Sequence, residues 1–487
     1  MKKFAIGAGI FLVSGLMLAQ MSFAGGVALS SYGVRAVSLG GAYRGLSNDW
    51  SGAYWNPAGL AQVKGWNVGV STAFITPTVK LTLAPYEGHR FYGFAEREVK
   101  NVPKTFIIPN FGLVYGMKNG LSLGFGVFIP FGLGATWDLY NPVPGFGNQA
   151  DFPKNDNVSD LAIMDFHGTI AYALNDKFSV GVGFGFVHTK ISIEQTVVTK
   201  IAALNSTLSP LASAPSDHFP TQQILEGTGT SFSATFGLQF KPTEKLTLGA
   251  SGRWYSDVSL SGSVKADAYF PSNPNSIATL QALKAQGLID DATYMQAAML
   301  FSGTKQRVID DKDVSASVPL PMNLGGGFAF QATEKMLLAF DVEWTQWSTW
   351  DEIPINGLTD IQGNKVPAKL VEHWKDGIRY NVGLEYNLIN DAAKRLDLRF
   401  GYYYDPSPVP DGTITPSIPD ANGKHSLNLG FGLKMGKLTI NGGVAHFIIP
   451  NREVKGWVLD ATGGNENYPG LYKTANEEVH IGIGYNF

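Results

Sequence analysis

Cysteine is absent from all 487 residues, so neither a disulfide framework nor a thiolate metal site can be built. Beyond the first two dozen residues there is also no apolar run approaching the roughly 18 residues of a membrane-spanning helix, which excludes an inner-membrane helical bundle. Charged residues are scarce at 16%, and the formal charge of −3 becomes −5 once Lys2 and Lys3 leave with the leader. A mild acidic balance argues against nucleic acid or an anionic membrane surface as the partner. The eight histidines form no His-Glu-x-x-His or similar spacing, so no metal centre and no cofactor are expected. Gly181, Gly183 and Gly185 superficially suggest a phosphate loop, but they lie in mid-strand and open no helix. A membrane-embedded esterase would need a serine, a histidine and an orienting acid. His167, His188 and His446 lie in strands, yet no spacing pairs any of them with a particular serine, and an enzyme is not expected.

What is present begins with an export signal over residues 1–24. Lys2 and Lys3 precede an apolar run, and Ser22-Phe23-Ala24 supplies a small-residue cleavage site. From Trp66 onward the dominant pattern has period two, which sends alternate side chains to opposite faces of a strand. Leu121, Leu123, Phe125 and Val127 alternate with Ser122, Gly124 and Gly126; Val180, Val182, Phe184 and Phe186 alternate with glycines. A soluble sandwich would carry Lys, Glu and Thr on its second face. Here that face is Gly, Ser and Asn, which suits a crowded or wet lumen with the apolar face turned to lipid.

Fourteen such segments begin near Trp66, Thr105, Leu121, Leu161, Phe178, Leu225, Leu246, Asn323, Met336, Ile378, Leu396, Ser426, Leu438 and Glu478. Short polar turns such as Lys118-Asn119-Gly120 alternate with long connections over 85–104, 132–160, 198–224, 266–322, 350–377, 405–425 and 450–477. That alternation predicts an all-β, 14-stranded antiparallel transmembrane β-barrel, with short periplasmic turns and long external loops. The last strand ends on Phe487, and a terminal aromatic resembles the assembly signal of outer-membrane barrels.

Between the leader and the first strand, residues 25–63 form a compact Gly/Ala-rich preface, read as a hatch inside the barrel that occupies 64–487. Asn56-Pro57 has a mechanism of its own: proline pushes Asn56 toward an extended conformation, and the Asn side chain can then bond local backbone. Gly40 and Gly41 allow a reversal, while Ala36, Ala42 and Ala58 permit close approach to a wall. Arg35 and Asp49, buried in a lumen, each need an opposite partner, either each other or a wall residue.

The run Arg35-Ala36, Gly40-Gly41-Ala42, Asp49 and Asn56-Pro57-Ala58-Gly59-Leu60 resembles the N-terminal hatch signature of the FadL/TodX family of outer-membrane transporters for hydrophobic compounds. The loop from Pro408-Val409-Pro410 to Ser417-Ile418-Pro419-Asp420 and the terminal Phe487 extend the resemblance over the mature chain. The chain departs from the family pattern at Arg44 and Trp50, where small residues are usual, and at Asn48-Asp49, so the polar contacts of the hatch should differ. The resemblance implies a monomer in the Gram-negative outer membrane. It also implies passive diffusion of a fatty acid, aromatic hydrocarbon or detergent-like molecule, with exit sideways to outer-membrane lipid where one strand kinks inward.

Ile129-Pro130-Phe131-Gly132 interrupts the third strand, because proline cannot donate to a ladder and glycine marks bends. This strand is also where the family carries its kink, so Pro130, Phe131 and Gly132 are candidates for a lateral gate. Helical spacing within the loops 198–224 and 266–322 places Leu204, Leu208, Leu211, Leu280, Leu283, Met295 and Met299 on apolar faces, with Asp291 as a cap. These faces either pack on each other or leave a groove where a greasy ligand lands. Arg253 shares parity with Thr247, Gly249 and Ser251, so it faces the lumen, where it could bind a ligand carboxylate or pair with an acid such as Asp257. A general porin is the alternative function, and it would require an open, charge-lined constriction.

Overall fold

The structure, a computed structural model, describes residues 26–85, 97–141, 152–204, 206–213, 216–359, 364–365, 368–417, 422–458 and 467–487. The expected export signal and Ile418-Pro419-Asp420 lie outside these residues. Among those described, fourteen strands close the wall. They are β1 Gly65–Leu83, β2 Phe106–Gly116, β3 Leu121–Trp137, β4 Asn157–Ala173, β5 Phe178–Lys200, β6 His218–Thr243 and β7 Leu246–Tyr255. The second half contains β8 Asn323–Gln331, β9 Met336–Thr345, β10 Gly377–Asn390, β11 Lys394–Asp405, β12 Lys424–Met435, β13 Leu438–Ile448 and β14 Gly470–Asn486. Each pairs antiparallel with the next, and β14 returns to β1 from Asn67↔Asn486 to Leu83↔Gly470.

The period-two pattern decides which face meets lipid. Val70, Leu123, Phe125, Val182, Phe184 and Ile481 are exposed on the outside, while Ser71, Ser122, Gly126 and His480 are buried inside. At the short-turn end the outer face carries aromatic pairs, Trp66 tilted against Tyr115 and Tyr485 edge-on to Phe487, each with ring centroids 4.7 Å apart. That is the arrangement of an interfacial girdle.

Three strands begin at least four residues earlier than the alternation indicates, at Asn157, His218 and Gly470 rather than Leu161, Leu225 and Glu478. Here the ladders continue past the apolar band, as in Lys200↔His218 and Leu83↔Gly470. Residues 218–223 are buried on both faces, so the alternation that marks a strand is lost. The region 266–322 also contains strand. A strand over Val258–Tyr269 pairs with β6 and with a second strand over Lys305–Val318.

Among the described residues five α-helices complete the chain: α1 Val34–Ser38 and α2 Gly52–Trp55 ahead of the barrel, and α3 Ile201–Leu204, α4 Pro274–Ala285 and α5 Asp291–Met299 in the loops. Asp290, not Asp291, caps α5, its side chain accepting the Thr293 N–H at 2.8 Å. Asp291 lies one position further on, inside the first turn, and pairs with Lys284.

Candidate translocation site

Residues 32–63 pack against inward-facing positions of the wall. Trp50 lies over Gly69 of β1 and Gly112 of β2, where any Cβ would overlap its ring, and its backbone N–H donates to Asn67 Oδ1 at 2.8 Å. Gly40 has φ +65°, and a Cβ there would come 2.7 Å from the Tyr402 carbonyl oxygen, so the chain needs glycine to turn this close to β11. Gly41 follows beneath Trp55.

Charges join this segment to the wall. Arg35 donates from Nε and Nη2 to the two oxygens of Glu385 at 2.8 Å each, and Glu385 also accepts from Arg399 at 2.7 Å. Arg35 therefore pairs with a wall acid. Asp49 instead organises its own neighbourhood, accepting from the Tyr43 hydroxyl and the Ser51 N–H at 2.9 Å. Arg44 lies between Glu343 and Asp341 of β9, and one Asp341 oxygen also accepts the Tyr43 and Arg44 N–H groups at 2.9 Å.

Asn56 is fully buried and extended, with φ −160°. Its Oδ1 accepts the Ala58 N–H at 3.1 Å, opening the 3₁₀ turn Pro57–Gln62, and its Nδ2 donates to the carbonyls of Arg44 and Leu238 at 2.9 and 3.0 Å. Ala58 in turn lies against Gly181. Replacing Asn56 by Ala removes a cap and two buried hydrogen bonds. The expected result is a loss of about 1–3 kcal/mol in the opening free energy of residues 44–58, read by amide hydrogen exchange, with exchange in β12 and β13 unchanged.

The wall itself is incomplete at one place. β2 and β3 pair only from Phe111↔Val127 to Gly116↔Ser122, although β2 continues alongside β1 to Phe106. The cause lies in β3, where an extra residue between Phe128 and Phe131 shifts the register with β4 at Ile129-Pro130. Residues 128–135 are buried on both faces, and β3 keeps its ladder to β4 there while losing the one to β2. A window results, bounded below by the last β2–β3 pair and above by the Val102 N–H to Thr136 carbonyl bond of 2.7 Å.

The start of the described chain lies across this window. Leu29 N–H donates to the Pro130 carbonyl at 2.9 Å and Gly132 N–H to the Val27 carbonyl at 3.0 Å, with Ala28 opposite Phe131. On the other side Asn110 of β2 donates to the Ser31 carbonyl at 2.9 Å. A cavity of about 240 Å³ runs along this segment. Its apolar end includes Leu29, Ile129, Leu133, Leu161 and Ile107, the last 62% exposed on the membrane face. Its polar end includes Arg379, Lys424, Asn428 and Glu478 in the lumen.

Residues 15–487 match the family described as Outer membrane protein transport protein (OMPP1/FadL/TodX). The chain belongs to this family. It is 23% identical to the long-chain fatty acid transport protein of Escherichia coli O6:H1 over 392 residues, 78% of each chain. Similar solved structures include a FadL homologue of Pseudomonas aeruginosa, with TM-score 0.70, 17% identity and 95% and 99% of the two chains covered. The toluene transporter TodX of Pseudomonas putida gives 0.68, 16%, 94% and 99%. This is a family of outer-membrane transport channels, not of enzymes.

His167 is buried on the inward face of β4. The ring bonds Ser233 Oγ at 3.0 Å and Thr235 Oγ1 at 2.9 Å, and Asp165 both accepts from Ser233 Oγ and lies 3.4 Å from the ring Nδ1. Arg253 completes the cluster. It reaches Asp165 at 2.6 Å, donates to the Tyr54 carbonyl at 3.2 Å and lies 4.4 Å from the Tyr54 ring centre. Its acid is thus Asp165 on β4; Asp257 instead accepts from Ser317.

The loop residues singled out in the sequence come together outside the cavity. Leu208 and Leu280 are fully buried in one apolar cluster, with Leu204, Leu211, Leu283 and Met299 packed around it, while Met295 is 63% exposed. None of them, nor Arg253, lines the cavity at the window. Residues the sequence reading passed over do: Arg379, Lys424 and the stretch 26–30. Arg379 shares parity with Asn381, Gly383 and Glu385, the same signal that turned Arg253 inward.

Proposed function

We propose that hydrophobic small molecules cross between the barrel interior and the bilayer through the window between β2 and β3. Pro130, Phe131 and Gly132 form the lateral gate, and residues 25–63 act as the hatch that keeps the lumen closed to solutes. The observation that carries this reading is the continuity of one cavity from lumen side chains to the membrane-facing Ile107. Transport needs no energy source, because an apolar solute partitions down its own gradient along an apolar path. The wall closes within one chain, so a monomer suffices. Above it, Met295 and the loop cluster around Leu208 and Leu280 give a greasy ligand its first contact. A general porin would keep an open constriction, which the wall contacts of Arg35 and the buried Arg44 and Trp50 oppose.

One observation favours an amphiphile with a carboxylate head, such as a long-chain fatty acid, over a neutral aromatic. Arg379 is 8% exposed, stacks 3.7 Å from the Tyr403 ring centre and bonds Asn381 and Ser30, yet its Nη2 has no partner within the described residues. A buried guanidinium nitrogen beside an apolar tunnel matches the two ends of a fatty acid, since charge-assisted bonds are the strong ones. Arg379→Met is expected to weaken binding of a long-chain carboxylate by about 10–100-fold and to leave toluene uptake unchanged. Equal effects on both, or on neither, would remove the carboxylate reading. Complementing a deletion strain on a fatty acid and on toluene as sole carbon sources tests uptake itself.

A further inference from the structure

The outer face carries a local concentration of positive charge that the plug, the window and the cargo do not use. Lys80 of β1 stands directly opposite Lys473 of β14 on one side and Lys100 of the strand Glu98–Lys100 on the other. All three point outward, since Lys80 shares parity with the exposed Trp66, Val70 and Thr76, and Lys473 with Val479 and Ile481. Directly facing like charges are separated by about 5 Å between Cβ atoms and repel. A single carboxylate answers them: Glu98 accepts from Lys80 and from Lys473 at 2.9 Å each. Lys100 has no ion-pair partner among the described residues. The row therefore holds three cations against one anion in a chain whose total charge is −3.

Its height in the membrane says what could neutralise it. The outer apolar band of these strands ends at Phe74 and Val479, where Thr76 and Glu477 take over. Lys80 and Lys473 lie six residues past that edge. At about 3.4 Å per residue and a tilt near 40°, this is roughly 15 Å above the hydrocarbon, outside the headgroup layer of about 5–8 Å and at the level of a glycolipid's sugars. The outward positions between, Thr78, Ala475 and Val102, are uncharged.

We infer that Lys80, Lys100 and Lys473 form a binding site for the phosphate-bearing headgroup of an outer-leaflet glycolipid, held against the outside of the barrel. Phosphate is an anion that several lysines can share as point charges, and lysine near a membrane surface is favourable toward anionic lipid. The site stands above the window, because Lys100 precedes by two residues the Val102 bond that bounds it. A glycolipid anchored there flanks the opening without entering it.

The test uses the full-length protein, stripped of lipid in dodecyl maltoside and titrated with bisphosphorylated lipid A by native mass spectrometry. The Lys80→Gln/Lys100→Gln/Lys473→Gln protein is expected to bind roughly 30-fold more weakly, counting two lysines beyond the one Glu98 offsets. The corresponding triple Arg variant, which keeps the charge, should bind as the wild type does, which separates loss of the site from loss of folding. Equal binding by the Gln variant overturns the inference, as does equal affinity for enzymatically dephosphorylated lipid A. Displacement by inorganic phosphate at the concentration of the lipid overturns it too, because the row would then be a site for free anions. None of these readouts involves cargo.

Discussion

Uptake is expected to stop, reversibly, when residue 28 is joined to residue 131 by a disulfide. Ala28 and Phe131 face each other antiparallel, and the bonds Leu29 N–H to Pro130 O and Gly132 N–H to Val27 O flank the pair. They form a non-hydrogen-bonded pair, whose Cα atoms are about 4.5 Å apart and within the range that a disulfide spans. The chain has no other cysteine to compete. In the oxidised Ala28→Cys/Phe131→Cys protein, residues 27–31 stay fastened across the window, so uptake should fall to that of a strain lacking the protein and return with reductant. Phe131→Cys alone is the necessary control, since its ring lies 5.4 Å from Tyr255 and 6.2 Å from Trp347 and contributes packing of its own. Undiminished transport by the oxidised protein would mean that cargo passes without displacing this segment.

The barrel was legible because alternation is local: a strand with one lipid face announces itself within eight residues, as Val180 to Phe186 does. Starts at Leu121, Phe178, Leu246, Asn323, Met336 and Leu438 coincide with the observed ones for that reason. Where both faces are covered, as over 218–223, or where a strand pairs outside the membrane, as in Val258–Tyr269, the period carries no information and the strand is missed. Parity put Arg253 inside but could not name its acid. The choice between Asp257 and Asp165 depends on which strand crosses at the same height, a long-range property. The window has the same character. Pro130 marks an irregularity in β3, but a missing β2–β3 ladder, and residues 27–31 lying over it, are relations between distant segments. Arg379 is different: its parity was in plain view, and only its neighbours Ser30 and Tyr403 distinguish it from any other inward arginine.

Removing Arg44 is expected to open the barrel. Its side chain is 3% exposed and answers two carboxylates, Asp341 with no exposure and Glu343 at 18%. Arg44→Ala leaves both acids without their cation, and breaking a buried pair in this way costs about 3–5 kcal/mol. The wall does not depend on that energy, because its strands are held by a closed ladder of backbone bonds. Residues 32–63 do, since Arg44 joins them to β9 as Arg35 joins them to β10 through Glu385. The Arg44→Ala protein should therefore keep its folded, heat-modifiable mobility while conducting more ions in a planar bilayer, and admitting more of a large antibiotic, than the wild type does. Adding Asp341→Asn and Glu343→Gln removes the stranded charges and should restore closure in large part, which distinguishes electrostatic release from simple loss of volume. A variant that remained closed would show that Trp50, Asn56 and Arg35 suffice to hold the segment. A variant that failed to assemble would show instead that the segment is needed to build the wall.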